Sequence, residues 1–291
     1  MFEGVLTALV TPFERGEVHE QALRALVEEQ IAAGIDGLVP CGSTGEAATL
    51  SHDEHRRVVE VVVEAAAGRV PVVAGTGSNN TREAVALTQH AREAGADGAL
   101  LISPYYNKPT QEGIVAHYAA VAKACGLPIL YYNIPGRTAS NIGVDTQMEL
   151  ARIEHIVGVK EASGDVDQIA EVVRRCPPEF TVLSGDDAMT LPLLALGSKG
   201  VISTTSNVAP REMCELVRAF RERDTARARA IHFRLMPLFD ALFCESNPIP
   251  VKAALHMMGR IGDEIRLPLT RLGATHSARL RGVLRELGLL Q

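Results

Sequence analysis

Eight short apolar runs, separated by amphipathic stretches, are the feature that most restricts the fold of this chain. The runs are VLTALV, GLVP, PVVAG, GALLIS, PILYYN, IVGVK, FTVLSG and GVIST. Each has four to six residues and is mostly continuous rather than alternating, which is typical of strands buried on both faces in a parallel sheet. Eight such strands with helices between them predict an α/β fold, a (β/α)8 TIM barrel.

The stretches between the runs have the pattern of amphipathic helices. In HEQALRALVEEQIAAG the apolar residues Leu23, Leu26, Val27 and Ile31 fall on one helical face. Junctions such as EAGADGALLIS end a helix near a glycine, which tolerates the left-handed conformation found there. An open doubly wound sheet is the rival architecture. No G-x-G-x-x-G follows an early run, and this disfavours the rival.

The strand pattern stops after Thr205, and the rest of the chain has helical periodicity. The segment REMCELVRAFRERD is predicted to complete the barrel, and three further helices follow it. We therefore predict a barrel over residues 1–224 and a C-terminal helical subdomain over residues 225–291. The total length of 291 residues is normal for an α/β barrel and does not by itself require two domains.

Composition and charge exclude several classes of function. Hydrophobic residues make up 46% of the chain, enough for a sizeable core, and the net charge is -6. No Lys/Arg cluster appears, which argues against nucleic acid as a partner. No apolar run is long enough to span a membrane. The five cysteines are scattered without a C-x-x-C or a metal-ligand spacing, a pattern that predicts reduced thiols in a cytoplasmic protein and no metal site.

Distinctive polar residues follow the ends of the predicted strands. In a TIM barrel the carboxyl ends of the strands meet at one face, where the active site lies. Hydroxyls, tyrosines, one arginine and one lysine would converge there: Ser43, Thr44, Tyr105, Tyr106, Tyr132, Arg137 and Lys160. For the GSTG segment alone, a tight turn with Thr44 capping the next helix is an equally good interpretation.

Lys160 ends the buried run IVGVK, so it must be hidden, paired or used. One interpretation is an ion pair with Glu161 or with another carboxylate at the rim of the barrel. The other is an amine nucleophile. A free lysine is neutral in only about one molecule in 2,500 at pH 7, but burial can lower its pKa by roughly 3–5 units. A neutral amine can attack a carbonyl and form a Schiff base.

Taken in order along the chain, these segments resemble the dihydrodipicolinate synthase family of pyruvate-dependent class I aldolases. The matching motifs are GSTGE, AGTGSN, SPYYNKPTQEG, YYNIPGRT, VGVKEASG, LSGDD, GVISTTSN and NPIPVK. The resemblance covers essentially the whole chain. It implies condensation of pyruvate with L-aspartate 4-semialdehyde to 4-hydroxy-tetrahydrodipicolinate, the first committed step towards lysine and diaminopimelate. It also implies a homotetramer, a dimer of dimers, that needs no cofactor beyond the imine on Lys160.

The resemblance assigns catalytic roles to four residues. Lys160 would form the imine with pyruvate, and Tyr132 would relay protons. Ser43 would link Tyr132 to a second tyrosine, Tyr106, which reaches in from a neighbouring subunit. Many family members have threonine in place of Ser43; serine keeps the donor and the acceptor, so we expect activity to survive. Tyr131 would point the other way and pack in the core.

The resemblance also assigns the substrate contacts. Thr44 would bind the pyruvate carboxylate, and Gly185 and Ile202 would line the pyruvate pocket, Ile202 through its backbone. Arg137 would grip the carboxylate of the aldehyde, since a guanidinium can donate two parallel hydrogen bonds. Taken alone, Arg137 could be a surface residue after a Pro-Gly turn.

A regulatory site for lysine as an inhibitor is the last implication of the resemblance. The matching residues are His52, His55, Asn79, Glu83 and Tyr105. Ala47 departs from a serine often found at this position. The simpler interpretation is that His52 and His55 lie three residues apart on one helix face.

Two alternative functions remain open at this point. The first is another pyruvate aldolase that acts on 4-hydroxy-2-oxoglutarate or a sugar acid; Arg137 argues against sugar acids. The second is a non-catalytic sensor of small molecules, which would be expected to have lost part of the set Lys160, Tyr132, Ser43 and Tyr106.

Overall fold

Eight parallel β-strands form the centre of the computed structural model, which describes residues 2–290. The strands are β1 Gly4–Ala8, β2 Gly37–Val39, β3 Val73–Gly75, β4 Gly98–Ile102, β5 Ile129–Asn133, β6 Ile156–Glu161, β7 Thr181–Ser184 and β8 Gly200–Ser203. Their order is β2-β1-β8-β7-β6-β5-β4-β3, and a parallel bridge from Leu38 to Val72 joins the two end strands. The predicted (β/α)8 barrel is confirmed.

Helices follow the strands along the chain. They are α1 Glu20–Ala32, α2 His52–Ala66, α3 Thr81–Glu93, α4 Gln111–Cys125, α5 Pro135–Thr138, α6 Val144–Leu150, α7 Val166–Arg175, α8 Thr190–Leu196, α9 Pro210–Arg221, α10 Thr225–Leu242, α11 Ile249–Met257 and α12 Ala274–Glu286. Helix α2 begins with a capping box made by Ser51 and Glu54. Thr44 therefore does not cap α2.

Alternate residues of each strand face two different apolar layers, as strand geometry requires. In β5, Tyr131 packs outwards in the large cluster beneath the helices, whereas Tyr132 points into the smaller cluster inside the barrel. The rings of Tyr118 and Phe180 surround Tyr131, and its hydroxyl donates to Gln147 Oε1 at 3.1 Å. The predicted division of the two tyrosines is confirmed.

Helices α10–α12 pack onto the barrel and share its outer apolar cluster. A buried ion pair also connects these helices to the barrel. Lys252 Nζ in α11 lies 2.5 Å from Glu46 Oε1, and the two side chains are only 4% and 1% exposed. The second carboxylate oxygen of Glu46 accepts from the backbone N–H of Arg266 at 3.1 Å. The C-terminal helices are thereby fixed to the turn that follows β2.

A short antiparallel hairpin, Phe13–Glu14 with Glu17–Val18, follows β1. Among residues 2–290, no helix combines the length and the apolar character needed to cross a membrane.

Candidate active site

A cavity of about 610 Å³ opens at the carboxyl ends of the barrel strands. Its walls bring together residues of β5 and β6, of helices α2 and α3, and of the segments that follow β2, β4, β5 and β7. The predicted residues that line it are Ser43, Thr44, His52, His55, Glu83, Tyr105, Tyr132, Arg137, Lys160 and Gly185. Residues far apart in the chain therefore meet at one mouth, as the barrel geometry requires.

Lys160 lies near the end of β6 and is 7% exposed. Its Nζ lies 4.2 Å from the centre of the Tyr132 ring. Burial lowers the pKa of Lys160 to about 8, opposed by the negative charge of Asp187 and assisted by the positive charge of Arg137. At pH 7 about one amine in ten is then neutral. Within the described part of the chain, no carboxylate forms a salt bridge with this lysine.

Glu161, the neighbour of Lys160, points to the other side of β6, into a hydrogen-bonded environment. Its carboxylate accepts from Asn133 Nδ2 at 3.2 Å, from Gln147 Nε2 at 3.0 Å and from the Ser163 N–H at 2.8 Å. Burial raises the pKa of Glu161, and these donors oppose the change. The interpretation of Lys160 as the ion-pair partner of Glu161 is wrong, because adjacent strand residues face opposite ways.

Asp187 is a site residue that the sequence did not reveal. It is buried, and its Oδ2 accepts from the N–H of Thr204 at 3.1 Å and from the N–H and hydroxyl of Thr205 at 2.8 and 2.9 Å. Burial raises its pKa, and the donors oppose this change. Its position in the LSGDD motif, after a predicted strand, indicated that an aspartate could lie near the site. The sequence does not show which of the two adjacent aspartates points inwards.

Tyr132 is buried beside the amine of Lys160. Burial raises the pKa of its phenol, so the hydroxyl remains protonated at neutral pH. A protonated phenol can donate and accept at once, which suits a group that passes protons.

Gly185 forms the wall beside Lys160. A Cβ at this position would lie 3.1 Å from Lys160 Cε and 2.8 Å from Ala162 Cβ. A side chain would therefore crowd the amine. Ile202 lies in the apolar cluster inside the barrel and is not among the residues that line the cavity.

Thr44 and Ser43 form the wall contributed by the GSTG turn. Thr44 is buried, and its Oγ1 accepts from Asn247 Nδ2 at 2.9 Å. Thr204 Oγ1 lies 3.4 Å from the same oxygen. Ser43 is half-buried in the same wall.

Arg137 lies in α5, lines the same cavity and is exposed. Its Nη2 donates to the backbone oxygen of Asn247 at 3.0 Å. Asn247 belongs to NPIPVK, one of the matching motifs, but its contacts with both Thr44 and Arg137 span more than a hundred residues and no local pattern announces them.

Tyr106 does not join the cavity of its own chain. Its side chain is 89% exposed, and its backbone has a φ of +70°. Such a φ is unusual for a bulky residue and is expected where a function requires it.

The five residues of the predicted lysine site lie close together. His52 Nε2 contacts Glu83 Oε1 at 2.7 Å, and Asn79 Nδ2 donates to the Tyr105 backbone oxygen at 3.2 Å. A hydrogen bond from Ser78 lowers the pKa of Glu83, and His52 assists.

His55 in the same cluster is buried and contacts the Gly75 carbonyl at 2.8 Å; burial lowers its pKa. The two histidines therefore have different environments despite sharing one helix.

Known proteins are similar to this chain over nearly its whole length. The model of the dihydrodipicolinate synthetase family matches residues 1–287. The chain is 56% identical over 290 residues to a 4-hydroxy-tetrahydrodipicolinate synthase of Syntrophus aciditrophicus (strain SB), covering 100% of both chains.

Two solved structures are also similar. The crystal structure of dihydrodipicolinate synthase from Aquifex aeolicus has a TM-score of 0.98 and 52% identity, covering 99% of each chain. A dihydrodipicolinate synthase from Cyanidioschyzon merolae with lysine bound has a TM-score of 0.97 and 44% identity, covering 99% of each chain.

Proposed function

The chain belongs to the dihydrodipicolinate synthetase family, and we propose that it is a Schiff-base lyase that condenses pyruvate with L-aspartate 4-semialdehyde to 4-hydroxy-tetrahydrodipicolinate. This is the first committed step towards lysine and diaminopimelate. The observation that carries the proposal is the buried Lys160, with its lowered pKa, in a cavity that also contains Arg137. The full-length relatives favour this reaction over another pyruvate aldolase and over a sensor.

The first step joins Lys160 to the keto acid. The neutral amine attacks the C2 carbonyl of pyruvate, and the carbinolamine loses water to give a protonated imine. Thr44 would bind the carboxylate of pyruvate, and Gly185 leaves room for it beside the amine. The Tyr132 phenol, next to Nζ, would pass protons to and from the departing oxygen.

The second step forms the carbon–carbon bond. The imine draws electrons from the methyl group, which loses a proton and becomes an enamine. The enamine carbon attacks the aldehyde, whose oxygen takes up a proton, and Arg137 would hold the aldehyde's carboxylate. The amine of the new product then attacks C2, releases Lys160 and closes the ring. The imine supplies the electron sink, so we propose that no metal or organic cofactor takes part.

The test measures product formation from pyruvate and aspartate semialdehyde with a coupled NADPH-linked reductase. We expect turnover that disappears in Lys160→Ala, and a borohydride-stable pyruvate adduct on Lys160. An adduct on another residue would refute the mechanism. A pyruvate adduct on Lys160 without turnover would support an aldolase that uses a different aldehyde as its second substrate.

A second copy of the chain would complete the site. Tyr106 is highly exposed and strained, and it lies outside its own cavity, as expected for a residue that reaches into a neighbour. We propose a homotetramer, a dimer of dimers, in which Ser43 links Tyr132 to the neighbour's Tyr106.

Inhibition by lysine is the regulatory part of the proposal. An ionised Glu83 suits an ammonium group, and the similar structure from Cyanidioschyzon merolae has lysine bound. Initial rates with and without millimolar lysine at fixed pyruvate test this. We expect inhibition that Glu83→Gln weakens; unchanged wild-type rates would remove the idea. We place the enzyme in the cytoplasm, where its five free thiols would stay reduced.

A further inference from the structure

Asn247 lies between the two contacts proposed for the substrate carboxylates. It comes from the segment between α10 and α11 and is 7% exposed. Its Nδ2 donates to Thr44 Oγ1 at 2.9 Å, and its backbone oxygen accepts from Arg137 Nη2 at 3.0 Å. One residue of the C-terminal region therefore contacts both Thr44 and Arg137, the first with its side chain and the second with its main chain.

The contact with Thr44 decides where the threonine proton points. A hydroxyl has one proton and two lone pairs, whereas an amide NH2 group can only donate. Asn247 therefore occupies a lone pair of Thr44 Oγ1 and leaves the proton free. The other hydroxyl within reach, on Thr204, is 3.4 Å away, at the limit of a hydrogen bond. A carboxylate can only accept, so a threonine held in this way presents what a carboxylate requires.

The rest of the Asn247 side chain contributes nothing comparable. Among the described residues, its Oδ1 is buried without a hydrogen-bond partner. Such an oxygen is destabilising, so the presence of an asparagine at this position calls for an explanation. The hydrogen bond that its Nδ2 donates to Thr44 supplies that explanation.

We infer that Asn247 is a positioning residue: its amide directs the Thr44 hydroxyl to donate to the keto-acid carboxylate, and its main-chain carbonyl orients Arg137 towards the aldehyde's carboxylate. The inference rests on the proposed function. It also predicts different effects on the binding of the two substrates. A change of the side chain alters the Thr44 contact and leaves the main-chain contact with Arg137 in place.

The test measures borohydride trapping of pyruvate on Lys160 as a function of pyruvate concentration, without the aldehyde. We expect Asn247→Leu, which has a similar shape but no donor, to raise the half-saturating pyruvate concentration by about 3- to 10-fold. Asn247→Asp should raise it further, by more than about tenfold, because its carboxylate accepts the Thr44 proton and repels the substrate. Cys244→Ala, three residues away and not among the residues that line the cavity, is the matched control and should trap like the wild type.

Three further readouts separate positioning from a structural role. The KM for the aldehyde should stay within about twofold in Asn247→Leu, since the main chain holds Arg137. The same variant should not lower the midpoint of thermal unfolding, because it removes the unpaired buried oxygen. In a Thr44→Val background, Asn247→Leu should have almost no further effect on trapping.

A half-saturating pyruvate concentration in Asn247→Leu equal to that of the wild type would overturn the inference. A rise confined to the KM for the aldehyde would overturn it as well. If Asn247→Asp fails to fold, the leucine variant decides alone. A wild-type protein that pyruvate does not label at all would instead remove the proposed function, and this inference with it.

Discussion

At the scale of single residues, the environment of Lys160 determines what the site can do. The end of an apolar run located the lysine, and adjacent strand residues face opposite ways, so Glu161 could have been excluded as its partner. The charges that act on the amine, from Asp187 and Arg137, come from the segments that follow β7 and β5. Their signs could not be obtained from the sequence, because they depend on which side chains turn into the barrel.

The pH dependence of imine formation follows from the lowered pKa of Lys160. Only the neutral amine attacks, so below about pH 8 the rate of pyruvate trapping should fall tenfold for each pH unit, and above it the rate should level off. Stopped-time borohydride trapping at fixed pyruvate across the pH range gives the inflection. A profile that keeps rising to pH 10 would show a lysine with an ordinary pKa.

Two substitutions should move that inflection in opposite directions. Asp187 stabilises the protonated amine, so Asp187→Asn should shift the inflection to lower pH. Arg137 destabilises it, so Arg137→Ala should shift the inflection to higher pH. The same trapping assay measures both, and shifts in the same direction would contradict the electrostatic account.

Arg137 should matter for the aldehyde and not for the keto acid. Loss of a charged, forked donor in Arg137→Ala should lower kcat/KM for aspartate semialdehyde by about 10- to 150-fold. Arg137→Lys keeps the charge without the fork and should fall between that variant and the wild type. Pyruvate trapping, measured above the pKa of Lys160, should be unchanged in both. Equal losses in trapping and in kcat/KM would contradict a role in aldehyde binding.

At the scale of elements, the pattern of apolar residues predicted most of the strands and helices, and tertiary contacts account for the differences. In α1 the predicted face contains Leu23, Leu26 and Val27, but Gln30 is buried as well. Its amide donates to the Ser206 carbonyl at 3.0 Å, and its Oε1 accepts from Thr7 at 2.7 Å. A polar residue with both partners inside the protein cannot be distinguished from a surface glutamine by periodicity alone.

The buried ion pair between Lys252 in α11 and Glu46, the residue after the GSTG turn, should be important for stability. Lys252→Met leaves the Glu46 carboxylate buried without its ionic partner, which should reduce the free energy of unfolding by about 3–5 kcal/mol. Denaturant unfolding measures the change. The matched control is Arg227→Met, which breaks an exposed pair with Glu215 and should change stability by about 0–1 kcal/mol. Equal effects of the two substitutions would show that the buried pair is not a special contact.

At the scale of the whole molecule, the barrel was predictable and the completion of its site was not. Alternating strands and helices predict where strand ends meet, which is why Lys160, Tyr132, Thr44 and Arg137 converge as expected. The role of Asn247 depends on contacts across 203 and 110 residues, set by the docking of the C-terminal helices. The division of the chain at residue 225 stays a prediction, since α10–α12 share the outer apolar cluster of the barrel.

If two subunits share each active site, two inactive variants should restore activity when they assemble together. Lys160→Ala lacks the amine, and Tyr106→Phe lacks the hydroxyl that a neighbour would supply. In a hybrid of the two, one site pairs an intact Lys160 with an intact Tyr106 from the other chain, and the second site has neither. Random pairing of equal amounts makes half of the dimers hybrids, so activity should recover to about one quarter of the wild-type value.

The measurement is the coupled rate of co-expressed, differently tagged variants after purification through both tags. Because a tetramer of two different parent dimers also carries both tags, the doubly purified fraction should have about 0.29 of the wild-type activity when dimers pair at random. Co-expression of Lys160→Ala with itself under two tags controls for contaminating enzyme. If Tyr106 served its own subunit, every site of the hybrid would lack either the amine or the phenol. Hybrids that form but stay no more active than Tyr106→Phe alone would therefore place this exposed tyrosine outside the neighbour's site.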